Sequence, residues 1–175
     1  MSIVTWIANL RDGIVSVDPG ATIAAYVPVG TEPGTPAMLE NLRRNGFRVV
    51  LPRIAPGPPA PLGWARYDGP ESLHRGRFGL LEPSGHFLPA DAVDEAALVL
   101  VPALAVDRRG VRLGRGAGYY DRSIGALPPV RLAAIVYDNE LVDELPADDF
   151  DVPMGWSVTP SAGYTRLEQA DPGTR

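Results

Sequence analysis

Residues 98–102 read Leu-Val-Leu-Val-Pro, an apolar run with no polar alternation. A strand with one solvated face alternates between apolar and polar residues. A strand without that alternation is covered on both faces, the condition of a central strand in a parallel sheet. Residues 22–29 (TIAAYVPV), 47–52 (FRVVLP) and 131–137 (RLAAIVY) have the same character. Between the first two, residues 36–45 read as a helix: Thr35 can cap it, Pro36 suits its first turn and Gly46 can end it. Strand, helix and strand in about 30 residues predict a βαβ unit and therefore a parallel pair. At 175 residues, 45% of them hydrophobic, the chain suits one domain with a sizeable core. The expected fold is a single α/β domain of three layers, with a mixed, mostly parallel sheet and helices on both faces.

Less regular segments surround these elements. Residues 53–97 are rich in Pro and Gly but contain Trp64, Tyr67 and Phe78, so they read as an ordered excursion. Within it, 74–83 (HRGRFGLLEP) brings two arginines and Glu82, either as a solvated turn or as a lining of a cleft. Ile3, Trp6, Ile7, Leu10 and Ile14 recur at helical spacing and predict a short amphipathic helix on the core. That stretch is too short to span a bilayer and no basic residue precedes it, so no membrane segment or signal peptide is expected. A short last strand is expected at 157–159. Residues 161–175 lack apolar periodicity and predict a loose tail.

Directly after the central run comes the segment ALAVDRRGVRLGRGAGYYDR, with glycines at 114, 116 and 118, arginines at 112 and 115, and Tyr119-Tyr120-Asp121 following. Glycine permits positive φ and close backbone approach to a ligand. Successive exposed N–H groups form an anion cradle, and guanidiniums add charge to it. A carboxylate just beyond is placed to hold a divalent cation beside phosphates. The alternative is a glycine-rich surface turn. The segment leaves the carboxyl end of a parallel strand, the edge where open α/β sheets bind ligands. Glu32 follows the first strand at the same edge, and Asp151 precedes the last.

Composition narrows the chemistry. All 16 basic residues are arginine, so GxxxxGK[ST] is impossible, and Tyr119 stands where GxGxxG needs its third glycine. Without lysine or cysteine there is no Schiff base and no thiolate nucleophile or metal ligand. His74 and His86 alone cannot make a histidine-rich metal site. Arginine, carboxylates, tyrosine and backbone dipoles suit phosphoryl transfer, where positioning and charge neutralisation dominate. A net charge of −5 without long basic stretches argues against nucleic acid as a partner. The absence of cysteine suits a reducing cytoplasm, the expected location.

The segment VPALAVDRRGVRLGRGAGYYDR resembles the signature of the 5-formyltetrahydrofolate cyclo-ligase (5,10-methenyltetrahydrofolate synthetase) family. The similarity extends over residues 22–160 through AAYVPVGTEPGTPAMLENLRRNGFRVVLPRI, FGLLEP and LAAIVYDNELVDELPADDFDVPM. The resemblance implies an enzyme that uses ATP and Mg2+ to convert 5-formyltetrahydrofolate, with or without a polyglutamate tail, to 5,10-methenyltetrahydrofolate, ADP and phosphate through a phosphorylated formyl intermediate. Carried over residue by residue, it implies an ATP-phosphate cradle of Arg112, Leu113, Gly114, Arg115, Gly116, Ala117, Gly118, Tyr119 and Tyr120. Arg112, Arg115 and Tyr120 would serve catalysis. Asp121 and Asp151 would bind Mg2+, Glu32 would hydrogen-bond the folate, Val27 and Phe78 would pack on its rings, and Tyr119, with Tyr120, would line its pocket. A monomer is expected.

Each of these residues also has a purely structural reading. Asp121 suits the first turn of its own helix, Glu32 a solvated turn, and Asp151 an acidic run at 148–151. The chain also departs from the family pattern. About twenty residues precede the first strand, with Arg11 their sole cation, where family members carry a longer helix that brings basic residues to ATP. This reads as a shortened N-terminal arm at 1–20 or a late start. Gly155 and Trp156 replace the more usual acidic pair. The alternatives are a non-catalytic folate- or nucleotide-binding homologue lacking that arm, and another ATP-dependent kinase or ligase on the same sheet.

Overall fold

The computed structural model describes residues 16–76 and 79–168. The expected N-terminal helix, Phe78 and residues 169–175 lie outside the described residues. In chain order the first strands are β1 (Thr22–Ala24), β2 (Arg48–Arg53), β3 (Gly63–Tyr67), β4 (Leu73–Arg75), β5 (Leu81–Pro83) and β6 (Phe87–Leu88). There follow β7 (Leu98–Pro102), β8 (Ala105–Asp107), β9 (Arg112–Leu113), β10 (Leu132–Ile135), β11 (Leu141–Val142), β12 (Trp156–Thr159) and β13 (Gly163–Arg166). The α-helices are α1 (Pro36–Arg44) and α2 (Tyr119–Ile124).

Eight strands form one sheet in the order β13-β12-β10-β7-β1-β2-β3-β6. The five central strands, from β12 to β2, are mutually parallel. Antiparallel β3 and β6 extend one edge and β13 the other. Leu98, Val99, Leu100 and Val101 are all fully buried. Leu98 and Leu100 join the core beneath α1, with Met38, Leu39 and Leu42 of that helix. Val99 and Val101 join the opposite core, which contains Ile124 and Leu127 from α2 and its exit. The unbroken apolar run is thus one strand serving two cores, and the three-layer α/β domain is as expected. Truncating Leu100 to Ala would cost about 2–5 kcal/mol, through lost burial plus the cavity left behind.

Local details follow from single residues. Thr35 occupies the extended position before α1, but its hydroxyl makes no cap; its carbonyl accepts the Met38 N–H at 2.9 Å. Gly46 ends the helix at φ +88, donating to the Arg43 carbonyl at 3.0 Å. The first strand is shorter than its apolar run. After Ala25 donates to Val50 at 2.9 Å the chain leaves the ladder toward Pro28, which has no N–H to pair.

The C-terminal expectation is corrected. Residues 161–168 are not loose: after a turn at 160–162, β13 opens with Gly163 at φ +66 and pairs antiparallel with β12. Tyr164 enters one core and Leu167 the other. Two apolar residues three apart match neither a helix face nor a strand face for long enough to register as a pattern.

Chain order makes the ligand edge explicit. The chain runs from β1 outward to β2, β3 and β6, then returns to place β7 on the other side of β1. The carboxyl ends of β1 and β7 therefore flank the point where strand order reverses, and a crevice opens there. Among the described residues no helix is long and apolar enough to cross a membrane.

Candidate active site

A cleft of about 1090 Å³ occupies that crevice. Its walls come from the chain after β1 (Tyr26, Val27, Glu32), the end of β2 (Arg53, Ile54), β5, the end of β7, the whole of residues 112–122, and the loop containing Asp148 and Asp151. Val27, Glu32, the cradle residues from Arg112 to Tyr120, Asp121 and Asp151 all line it. One space therefore gathers every expected site residue that lies among those described.

The glycine-rich segment begins as a hairpin not expected from the sequence. β8 and β9 pair antiparallel, and the turn between them is organised by Asp107, whose side chain is fully buried. Its Oδ1 accepts the N–H groups of Arg109 and Val111, each at 2.9 Å. Its Oδ2 accepts the Arg109 guanidinium at 2.9 Å and the Leu145 N–H at 3.0 Å. Burial pushes this carboxyl up. The hydrogen bonds from Leu145, Arg109 and Val111 outweigh that and hold it below the usual carboxylate range. Gly110, at φ +91, lies against the Met154 carbonyl, and its own carbonyl accepts the Met154 N–H at 2.8 Å. The hairpin that delivers Arg112 is thus fastened to the segment that delivers Asp151.

Arg112 is nearly enclosed, with its side chain 6% exposed. Its Nη2 donates to Asp121 Oδ2 at 3.0 Å and its Nη1 to the Pro102 carbonyl at 3.3 Å. The guanidinium lies 5.8 Å from the centre of the Tyr120 ring. It passes so close to Gly114 that a Cβ there would sit 2.7 Å from Nη1, so a side chain at this position would displace the guanidinium. Gly116 and Gly118 take φ of +89 and +66, the left-handed region that glycine enters without strain, and Gly118 opens α2.

Across the cleft, Glu32 accepts the Val29 N–H at 2.9 Å through Oε2 and the Arg115 guanidinium at 3.1 Å through Oε1. Beside it the Tyr26 hydroxyl donates to the Pro33 carbonyl at 2.6 Å. Burial first, and the Glu32 charge second, push the Tyr26 phenol well above its ordinary pKa. Tyr120 is raised by burial as well, with Arg112 opposing and Glu32 reinforcing the shift. Both stay protonated at neutral pH. The Tyr120 hydroxyl and Arg112 Nε are buried without a hydrogen-bond partner, which leaves two donors unspent in the wall of the cleft.

The acidic side is looser. Asp121 commits Oδ2 to Arg112, and its Oδ1 lies 3.5 Å from the Val152 N–H, the outer limit of a hydrogen bond. Asp151 accepts the Asp148 N–H at 2.8 Å through Oδ2. Each carboxylate keeps a second oxygen. Among the described residues no three acidic or histidine side chains cluster as a metal cage. Two carboxylates at one cleft fit a hard cation that takes its remaining ligands from phosphate and water.

Sequence reasoning passed over Asp107, Tyr26 and Arg53. An aspartate beginning a turn with glycine three positions on is an Asx-turn signal that marks Asp107. No pattern announces the other two.

The family model described as 5-formyltetrahydrofolate cyclo-ligase matches residues 14–160. A 5-formyltetrahydrofolate cyclo-ligase of Mycolicibacterium smegmatis is 49% identical over 166 residues, covering 93% of this chain and 82% of the relative. A protein of the same name from Escherichia coli is 32% identical over 145 residues, covering 80% of this chain and 78% of its own. The NMR structure of Aquifex aeolicus 5,10-methenyltetrahydrofolate synthetase superposes with a TM-score of 0.71 at 23% identity, covering 99% of this chain and 85% of that one, and establishes the shared fold. With the signature segment wrapped around the cleft and the match spanning nearly the whole sheet, the chain belongs to the 5-formyltetrahydrofolate cyclo-ligase family.

Proposed function

We propose that this protein converts 5-formyltetrahydrofolate to 5,10-methenyltetrahydrofolate with ATP as cosubstrate, releasing ADP and phosphate. The observation that carries the reading is the single cleft at the switch point, where Glu32, the glycine-rich loop, Asp121 and Asp151 meet. An amide-like formyl oxygen is a poor leaving group, and phosphorylation removes that obstacle. The formyl oxygen attacks the γ-phosphorus as its bond to the ADP oxygen breaks. N10 then adds to the activated formyl carbon, phosphate leaves with the former formyl oxygen, and N10 loses its proton.

This chain's residues divide the work. Backbone N–H groups at 114–118 and the guanidiniums of Arg112 and Arg115 surround the phosphates and offset charge that develops during transfer. Arg112 is fixed by Asp121 and Pro102. Arg115, with its side chain 62% exposed, is able to leave Glu32 for a phosphate. Glu32, then released, accepts donors from the pterin edge, where a bidentate carboxylate fits. The Tyr120 phenol stays protonated and donates to the reacting oxygens, which uses its otherwise unspent hydroxyl. Val27 and Tyr119 flank the flat rings. Asp121 and Asp151 hold Mg2+, which when bound supplies charge neutralisation on the phosphates. A monomer as the working unit belongs to the same reading, as does the cytoplasmic setting that the cysteine-free composition suits.

The test is the appearance of the near-ultraviolet absorbance of methenyltetrahydrofolate when the protein receives 5-formyltetrahydrofolate and Mg-ATP, with one ADP formed per product. Folate binding without turnover overturns the catalytic reading in favour of a binding homologue. ATP binding without folate binding points to a different ATP-dependent reaction.

A further inference from the structure

Four arginines line the cleft, and three have partners that account for them. Arg112 meets Asp121, Arg115 meets Glu32, and Arg122 donates to the Ala117 carbonyl at 2.6 Å. The fourth, Arg53, ends β2 and is exposed. Among the described residues no carboxylate lies within ion-pair distance of it; its guanidinium carbon instead stands 3.8 Å from the centre of the Phe87 ring. Glu82, the acidic residue on the adjoining β5 wall, turns back onto Gly76. Phe87 is 54% exposed, so this ring does little as core and much as a platform. A guanidinium on an aromatic face is held flat and keeps its N–H fork for a planar anion.

The topology sets this cation apart from the phosphate loop. Arg53 pairs in register with Gly63, and Phe87 with Ala65, so both stand on the sheet face that carries α1. The loop's helix α2 packs on the other face. Arg53 ends β2, the strand next to β1, but its guanidinium reaches across to Phe87 on β6, which is three strand spacings from β1, roughly 14 Å. Apolar Val27, Ile54, Leu80 and Leu81 line the same cleft. Glu32 and Arg53 line this one cleft with the apolar wall, so a ligand with its pterin at Glu32 has Arg53 available to its far end.

We infer that Arg53, held by Phe87, is a specificity-determining residue that binds the glutamate-tail carboxylates of the folate substrate. This rests on the cyclo-ligase reading for its substrate, and adds the recognition of the tail. A planar guanidinium pairing with a carboxylate is the bidentate, charge-assisted contact for which arginine is suited.

The test compares 5-formyltetrahydrofolate with an analogue whose glutamate carboxylates are both amides, on wild type, Arg53→Gln and Phe87→Leu. Equilibrium binding is measured without ATP, and turnover separately. Wild type should prefer the acid by about tenfold or more. Arg53→Gln should abolish that preference, and Phe87→Leu should reduce it about two- to fivefold. The KM for ATP should not move. An unchanged preference in Arg53→Gln, an equal loss for both ligands, or a loss confined to ATP overturns the inference. Preference for the acid without methenyl formation, abolished by Arg53→Gln, upholds the tail site while overturning the catalytic reading. Methenyl formation with unaltered preference in Arg53→Gln overturns the tail site alone.

Discussion

Arg115 and Glu32, 83 positions apart in sequence, close the cleft between them at 3.1 Å. The proposed phosphate cation and the proposed pterin acceptor are thus each other's partner when no ligand intervenes. The pair is partly exposed and so contributes no more than about 1 kcal/mol to the fold. Its consequence is for binding. Glu32→Gln should raise the KM for 5-formyltetrahydrofolate by about tenfold or more, because a charge-assisted contact is lost. It should leave the ATP requirement unchanged or lower it, because Arg115 no longer has a competing partner. Steady-state titration of both substrates decides this; equal increases for both would contradict the assignment.

The buried, unpartnered hydroxyl of Tyr120 leads to effects of opposite sign on stability and activity. A hydroxyl desolvated without a partner costs the fold about 1–3 kcal/mol. Tyr120→Phe should therefore match or exceed wild type in Tm, while methenyl formation falls by about tenfold or more as the donor to the reacting oxygens disappears. Thermal melts and initial rates on the same preparations test both halves. Unaltered turnover with a raised Tm would make the hydroxyl a bystander.

For Asp121 the two roles separate by choice of substitution. Arg112 is nearly enclosed, so Asp121→Ala leaves a buried guanidinium without its carboxylate and should cost about 1–3 kcal/mol, a few degrees in Tm for a chain of this size. Asp121→Asn retains an oxygen for Arg112 and should melt closer to wild type. Both should lose turnover at every Mg2+ concentration if the carboxylate holds the metal. Recovery of Asp121→Asn at high Mg2+ would instead indicate a weakened site, and near-normal turnover at ordinary Mg2+ would remove the metal role.

The sheet centre was legible because Leu98, Val99, Leu100 and Val101 leave no polar face, which only coverage on both sides satisfies. Gly46 and Pro36 likewise bound α1 through fixed backbone preferences. The glycine loop stood out because alternating glycines and arginines are rare together, and the structure places all of residues 112–122 along the cleft. β8, β9 and β13 were not legible: two- to four-residue strands carry no period, and what fixes them is tertiary, the burial of Asp107 in the β8–β9 turn and the packing of Tyr164 and Leu167 into the two cores. Arg53 was silent for the same reason, since its meaning depends on Phe87, 34 positions away and two strands over.

Asp107 links the cradle to the fold and makes that link dependent on pH. Its folded pKa is lowered, so its contribution to stability is complete above the ordinary aspartate value near ~4 and is lost as pH falls through the folded value. Asp107→Asn, which misplaces an NH2 against donors from Arg109 and Leu145, should be less stable than wild type by about 2–3 kcal/mol at pH 5–7. The difference should shrink below about pH 4, as the wild-type carboxyl also takes a proton. Urea unfolding at several pH values measures it; a gap that persists undiminished to pH 3 would show that ionisation of Asp107 is not what fastens the hairpin. Because the same carboxylate ties the strand bearing Arg112 to the loop bearing Asp151, the variant's KM for ATP should rise at neutral pH while the protein remains folded. A folded variant with wild-type ATP kinetics would confine Asp107 to stability.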